Sequence, residues 1–206
     1  LNETKDNWDY DLHTQGGHGT HVIGSLSCHD VYIDKADGEP YSDMTAIGYK
    51  SKLIVQDIVN QNGWVPPDNI DLLLYESAIN GAVISSYSWG DDTTEYTSRS
   101  HDLDAWAREN PWSIAFIAPG NTGSQLLEPA NARSVVAVGG SSKDGEIFSG
   151  SSIGTTPEGT RGIFMLAPGK NIVSADSDSI NNSFNDGNIM MTGTSMATPT
   201  GASYTA

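Results

Sequence analysis

Short apolar runs alternate with helical patterns along this chain, and that alternation constrains the fold more than any other feature of it. The run KLIVQDIV (52–59) is rich in β-formers. NIDLLLYESAINGA (69–82) then places Ile70, Leu73, Leu74 and Ala78 at helical spacing, with Gly81 as a stop. AVISSYSWG (82–90) returns to strand character, and LDAWARENP (103–111) reads as a helix ended by Pro111. WSIAFIAPGN (112–121) is a buried strand running into a tight turn, and SVVAVGGS (134–141) is another strand. Strand and helix in repeated alternation predict an α/β fold of three αβα layers, with a mainly parallel central sheet and right-handed crossovers. Working residues in such sheets sit on the loops just past strand ends. The 206 residues suffice for one core, no internal repeat or linker divides them, and a single domain over 1–206 is expected.

Charge and composition exclude several functions. Lys and Arg number 10 against 26 Asp and Glu, a formal net charge of −16. Phosphate contacts need cations, so nucleic acid is excluded as a partner. The acids are scattered rather than clustered, which suits a solvated surface. Cys28 is the one cysteine, so an internal disulfide is impossible. No apolar run approaches the roughly 18 residues of a membrane span.

Three places carry residues suited to chemistry. In GGHGTHVIG (16–24), two glycines precede His18, and Val22, Ile23 and Leu26 mark the buried face of a helix that starts there. The partial positive charge of a helix N-terminus favours a neutral imidazole able to accept a proton. In APGNTG (118–123), Asn121 follows a buried strand, and its amide could donate a hydrogen bond into a cleft. In MTGTSMATPTG (191–201), Ser195 lies among small residues at a helix start, with its own N–H free, and Pro199 is placed in the first turn. Each has a bland reading: a structural histidine, a turn asparagine, a capping serine. In combination they supply what acyl transfer to serine needs: a base, a nucleophile and oxyanion donors. A metal reading uses His13, His18, His21 and His29, with Asp9 and Asp11 to complete it, but lacks the Glu that follows the first His in the zinc-protease pattern.

HGTHVIG, APGNTG and GTSMATP resemble, in order and spacing, the His, oxyanion-Asn and Ser motifs of the subtilisin-like serine proteases. The similarity extends over nearly the whole chain through YSWG (87–90), PANARSVVAVGGS (129–141) and FSGSSIGTTPEGTRGIFMLAPG (148–169). The resemblance implies His18 as general base, Ser195 as nucleophile and Asn121 as oxyanion donor. It implies that Ser88, Trp89 and Gly90 form an edge pairing with an extended protein or peptide substrate, and that Ala118, Pro119 and Gly120 line the pocket for the residue before the cut. No cofactor is expected for catalysis. A structural calcium ion is compatible with the resemblance, with no liganding loop identifiable. A monomeric, secreted endopeptidase is what the family pattern suggests.

The chain departs from that pattern at its ends. The family's triad Asp precedes its His by roughly thirty residues, and His18 leaves too little room. Asp6, Asp9 and Asp11 follow no apolar strand and are not assigned that role. The chain ends at Ala206, soon after Ser195, so the domain is expected to be truncated at both ends, with the Asp upstream and little proteolysis from this piece alone. Phe164 stands where the family often has Asp, and its loss is expected to remove a polar network near the Ser helix. The rival reading is a non-catalytic relative that holds an extended peptide along the cleft edge.

Overall fold

The computed structural model describes residues 17–33, 40–60, 63–159, 161–177 and 188–206. In chain order the elements are α1 (His18–Ser27), a β1–β2 hairpin (His29–Ile33, Pro40–Thr45), a short β3–β4 hairpin (Val59–Asn60, Gly63–Trp64) and α2 (Asp71–Ile79). They continue with β5 (Ile84–Tyr87), α3 (Ser98–Glu109), β6 (Ile114–Ile117), β7 (Val136–Ser141) and β8 (Met165–Pro168). The β9–β10 hairpin (Ile172–Ala175, Asn188–Met191) and α4 (Thr194–Ser203) complete the set.

β5, β6, β7 and β8 form one sheet in that order, and every pairing in it is parallel. Successive side chains of a strand point to opposite faces, and the core divides accordingly. Tyr87, Ile117 and Ala137 face a cluster with Ile70, Leu74 of α2 and Leu103 of α3. Their neighbours Phe116, Val136 and Val138 face the other way, onto Ala197 and Ala202 of α4, with Leu26 of α1 packed alongside. This is the expected three-layer αβα arrangement. Leu74 and Leu103 are each 2 % exposed, and burying a side chain of that size contributes about 2 kcal/mol.

Sequence features account for the element ends. Asn69 Oδ1 accepts the Asp71 N–H at 2.8 Å, holding the first turn of α2. Gly81, with φ of 90°, provides the left-handed turn that follows the helix. α4 is built from small residues because it crosses the sheet closely. A Cβ on Gly201 would already lie 3.3 Å from the Val138 side chain.

Two details differ from the sequence expectations. Residues 52–58 do not join the sheet, although their composition is β-rich. A strand needs a partner, and the outer edge of β5 is separated from this segment by a gap that both line. α3 begins at Ser98, five residues before its apolar pattern becomes visible at Leu103, because Arg99 and Ser100 are buried through polar contacts rather than apolar ones. Phe164 is 75 % exposed before β8 and donates its N–H to Ala137 O.

Candidate active site

His18 opens α1, directly after Gly17, whose φ is 74°. That left-handed residue lets the chain turn sharply into the helix. A Cβ on Gly17 would lie 2.7 Å from the Ser177 side chain, so the turn is also held close to the hairpin side of the molecule. His18 lines a cleft of about 2300 Å³ together with Asn121 and Ser195. The cleft is large because it runs on from these residues into the gap between β5 and residues 52–58.

Ser195 is the second residue of α4 and is half-buried. The Met196 N–H donates to Gly193 O, whereas the Ser195 N–H belongs to the first turn and has no intrahelical acceptor. Ser195 Oγ donates to Ser88 O at 3.3 Å, and Ser88 Oγ donates to Ser195 O at 2.8 Å. The second contact has a cause in the sequence. Pro199 is inside the helix, four residues after Ser195 and beyond the first turn where it was expected. A helical residue there would donate its N–H to Ser195 O, and proline has none. The Ser88 hydroxyl supplies the missing donor.

Asn121 is exposed at the end of the turn after β6. Its Oδ1 accepts the Thr194 N–H at 2.9 Å and the Thr194 hydroxyl at 3.2 Å. An N–H can only meet the amide oxygen, so these bonds fix the orientation of the amide and leave its Nδ2 donor uncommitted. Thr194 itself is fully buried. Nothing in the local sequence marks Thr194. Its role depends on a residue 73 positions away.

The edge after β5 brings Ser88, Trp89 and Gly90 to the cleft, all half-buried. Trp89 packs against Tyr87 in a tilted arrangement at 5.5 Å and meets Trp64 edge-on at 6.3 Å. On the opposite wall, Ala118 and Gly120 line the cleft. Pro119 is fully buried and supports that wall from behind.

The histidines of the metal reading separate. His21 is completely buried, and its Nε2–H donates to Ile172 O at 3.0 Å, away from the cleft that His18 lines. Its Nδ1 is buried with no hydrogen-bond partner among the described residues. Burial, only partly opposed by backbone hydrogen bonds and Asp176, pushes the His21 pKa below its usual value. His29 is exposed beside Thr45 and Tyr49. His13, Asp6, Asp9 and Asp11 lie outside the described residues.

A serine at a helix N-terminus, an oriented asparagine amide and a histidine line one cleft past the ends of a parallel sheet in an α/β protein. Comparison with known proteins agrees in class: residues 2–206 match the Subtilase family, and the chain belongs to it. It is 30% identical over 208 residues to the serine protease AprX of Bacillus subtilis, covering 89% of this chain and 46% of that protein. It is 31% identical over 192 residues to the thermostable alkaline protease of Halalkalibacterium halodurans, covering 91% of this chain and 45% of that one. The chain thus spans about half the length of these relatives. The solved structure of the prenylagaramide maturation protease PagA superposes with a TM-score of 0.68 at 28% identity, over 90% of this chain and 61% of that one. The PatG macrocyclase in complex with peptide shares the fold, with a TM-score of 0.64 at 20% identity, over 90% of this chain and 50% of that one. Among the described residues no helix is long and apolar enough to cross a membrane.

Proposed function

We propose that this chain is part of the catalytic domain of a serine endopeptidase that cleaves protein or peptide substrates through an acyl-enzyme. The observation that carries the reading is the pair of bonds by which Thr194 orients Asn121 beside Ser195, on the cleft that His18 also lines. In the reaction, His18 takes the proton of Ser195 Oγ as the oxygen attacks the scissile carbonyl carbon. The carbonyl oxygen becomes an oxyanion, held by Asn121 Nδ2 and the Ser195 N–H. Collapse expels the amine with the proton returned by His18. Water, activated by the same histidine, then releases the acyl group from Ser195 and completes the hydrolysis. The substrate lies extended along Ser88–Gly90 by strand-like pairing, with Ala118 and Gly120 on the far side.

The triad Asp belongs upstream of this chain in this reading. The gap between β5 and residues 52–58 supports it. The gap is bordered by Leu53, Val55, Ile84 and Ser86 and is continuous with the cleft at His18. Ser86 Oγ, buried on β5, has no hydrogen-bond partner among the described residues, whereas Tyr87 turns to the other face, into the cluster with Ile70 and Leu74. Burial pushes the Tyr87 hydroxyl up to about 12. A strand laid there would complete the sheet and bring its end toward His18. Secretion, a monomeric state and a stabilising calcium ion belong to the same reading, without assigned ligands.

The test is covalent labelling of the full-length protein with a fluorophosphonate, followed by peptide mapping. Modification at Ser195, lost in Ser195→Ala together with peptide hydrolysis, is the expected result. Hydrolysis that survives Ser195→Ala would refute the assignment.

A further inference from the structure

We propose that Glu128 is a positioning residue that sets the separation between the two walls of the cleft, acting through the Asp91 amide and Arg99. The proposal rests on the peptidase reading above. One wall is the edge Ser88–Asp91 after β5. The other is Ala118–Gly120 after β6, backed by the segment Leu127–Pro129.

The Glu128 side chain has no solvent exposure, yet it is a carboxylate. Its Oε1 accepts the Asp91 N–H at 3.1 Å and Arg99 Nη1 at 3.0 Å, and its Oε2 accepts the Thr97 hydroxyl at 2.7 Å. Arg99 Nη1 also donates to Asp91 Oδ2 at 2.6 Å, and its Nε donates to Pro67 O at 2.9 Å. The guanidinium lies 5.9 Å from the Trp89 ring centre. Main-chain bonds continue the network. The Glu128 N–H donates to Thr93 O at 2.9 Å, and the Leu127 N–H donates to Pro119 O at 3.0 Å. A Cβ on Gly90 would collide with the Glu128 carbonyl, so the walls meet backbone to backbone at this point. One residue is therefore bonded to the first wall through Asp91 and joined to the second through its neighbour Leu127.

Energetics favour a geometric role. A buried charge is costly, and a buried ion pair seldom stabilises a fold more than apolar residues of similar volume would. What a fully paired buried carboxylate adds here is a side-chain constraint on the distance between two loops that main-chain hydrogen bonds also join. A peptide lying along Ser88–Gly90 uses backbone groups whose placement follows from that distance. Such binding is equal in ground and transition states, so losing it raises KM and leaves kcat unchanged. General destabilisation acts differently: it removes active enzyme and lowers the apparent kcat at constant KM.

The experiment uses the full-length protein with two substrates, a tetrapeptide anilide that spans the Ser88–Gly90 edge and a short acyl ester that does not reach it. For Glu128→Gln, the expected result is a peptide KM raised roughly tenfold, with kcat and the ester kcat/KM within about twofold of the parent, as befits the loss of one charge-assisted hydrogen bond. Glu128→Asp, which retains the charge, is expected to recover part of the KM. If Glu128→Gln does not fold, Thr97→Val removes one bond from the same carboxylate and is expected to show a smaller KM increase of the same kind. Both substrates losing kcat together at unchanged KM, or no change at all, would overturn the proposal. If the parent hydrolyses neither substrate, the peptidase reading fails. The wall separation is then read from the Kd of a fluorescent peptide, which Glu128→Gln must weaken roughly tenfold for the proposal to stand.

Discussion

At the scale of single residues, the arrangement around Ser195 makes two predictions. Asn121→Ala removes the only side-chain donor assigned to the oxyanion, so kcat is expected to fall about 10²–10³-fold with KM little changed. That scale is the one known for a subtilisin, a relative of this chain, and is carried over rather than calculated. Unchanged kcat in a steady-state assay would remove Asn121 from the site. The second prediction concerns Ser88 and Pro199. Ser88→Ala leaves Ser195 O without the donor that proline cannot replace, a loss of about 1 kcal/mol for a part-buried group. In a Pro199→Ala background the helix regains its own N–H at that position, and the same Ser88→Ala change is expected to cost distinctly less. A double-mutant cycle by denaturant unfolding measures the coupling. Additive effects would mean that the Ser88 hydroxyl is not standing in for the missing helix bond. The link between Ser88, Ser195 and Pro199 was not legible in the sequence. Ser88 and Ser195 are 107 positions apart, and a hydroxyl reaching a carbonyl across that separation leaves no local pattern.

Among the elements, the packing of α1 against β9 controls where His18 stands. His21, one turn along α1, is the pin: its Nε2–H bonds Ile172 O, and Ser174 Oγ of β9 donates to His21 O at 2.8 Å. A Cβ on Gly24 would collide with Ser174 Oγ, so the helix lies directly on the strand. Burial lowers the His21 pKa below its unfolded value of 6.5, with Asp176 and the facing backbone carbonyls opposing this only in part. The unfolded chain therefore binds a proton at this site before the folded one does. His21's contribution is fully present above about pH 6.5 and is lost progressively as pH falls toward the lowered folded value. Urea unfolding between about pH 5 and 8 is expected to show stability declining on the acid side, with a shallower decline in His21→Gln. Parallel profiles for the two proteins would show that other groups govern the acid limb. The elements themselves were largely legible. α2, β5, β6 and β7 fall within the apolar patterns that announced them, because each turns a regular apolar face to the core. The segment 52–58 misled because β-propensity reports a fit to a pleated surface, not the presence of a neighbouring strand. Among the site residues, His18, Asn121 and Ser195 stood out by their glycine-rich and small-residue surroundings. Thr194 and Glu128 did not, since their work is done through partners distant in sequence.

Among the described residues of the whole molecule one edge of β5 has no strand partner, and this edge and the strong negative charge act against each other. Among the described residues β5 pairs only with β6, and its other edge faces the gap lined by residues 53–58. Unpaired parallel edges with apolar flanks are templates for association. Against this stands a net charge of −16, which makes copies of the chain repel one another at low ionic strength. Screening shrinks from a reach of about 30 Å at 0.01 M salt to about 3 Å at 1 M, so salt should release the edge to associate. The 206-residue chain produced alone is therefore expected to hydrolyse peptide poorly and to form larger species as salt is raised, seen by light scattering. A polypeptide extended by the strand proposed above is expected to abolish the salt-induced association and to raise turnover together, because that strand would both cover β5 and bring a carboxylate toward His18. If association disappears while turnover stays low, the gap is a strand position but the added strand brings no catalytic carboxylate. If the chain alone stays monodisperse across the whole salt range, the β5 edge is already covered, and the gap is not an unfilled place in the sheet.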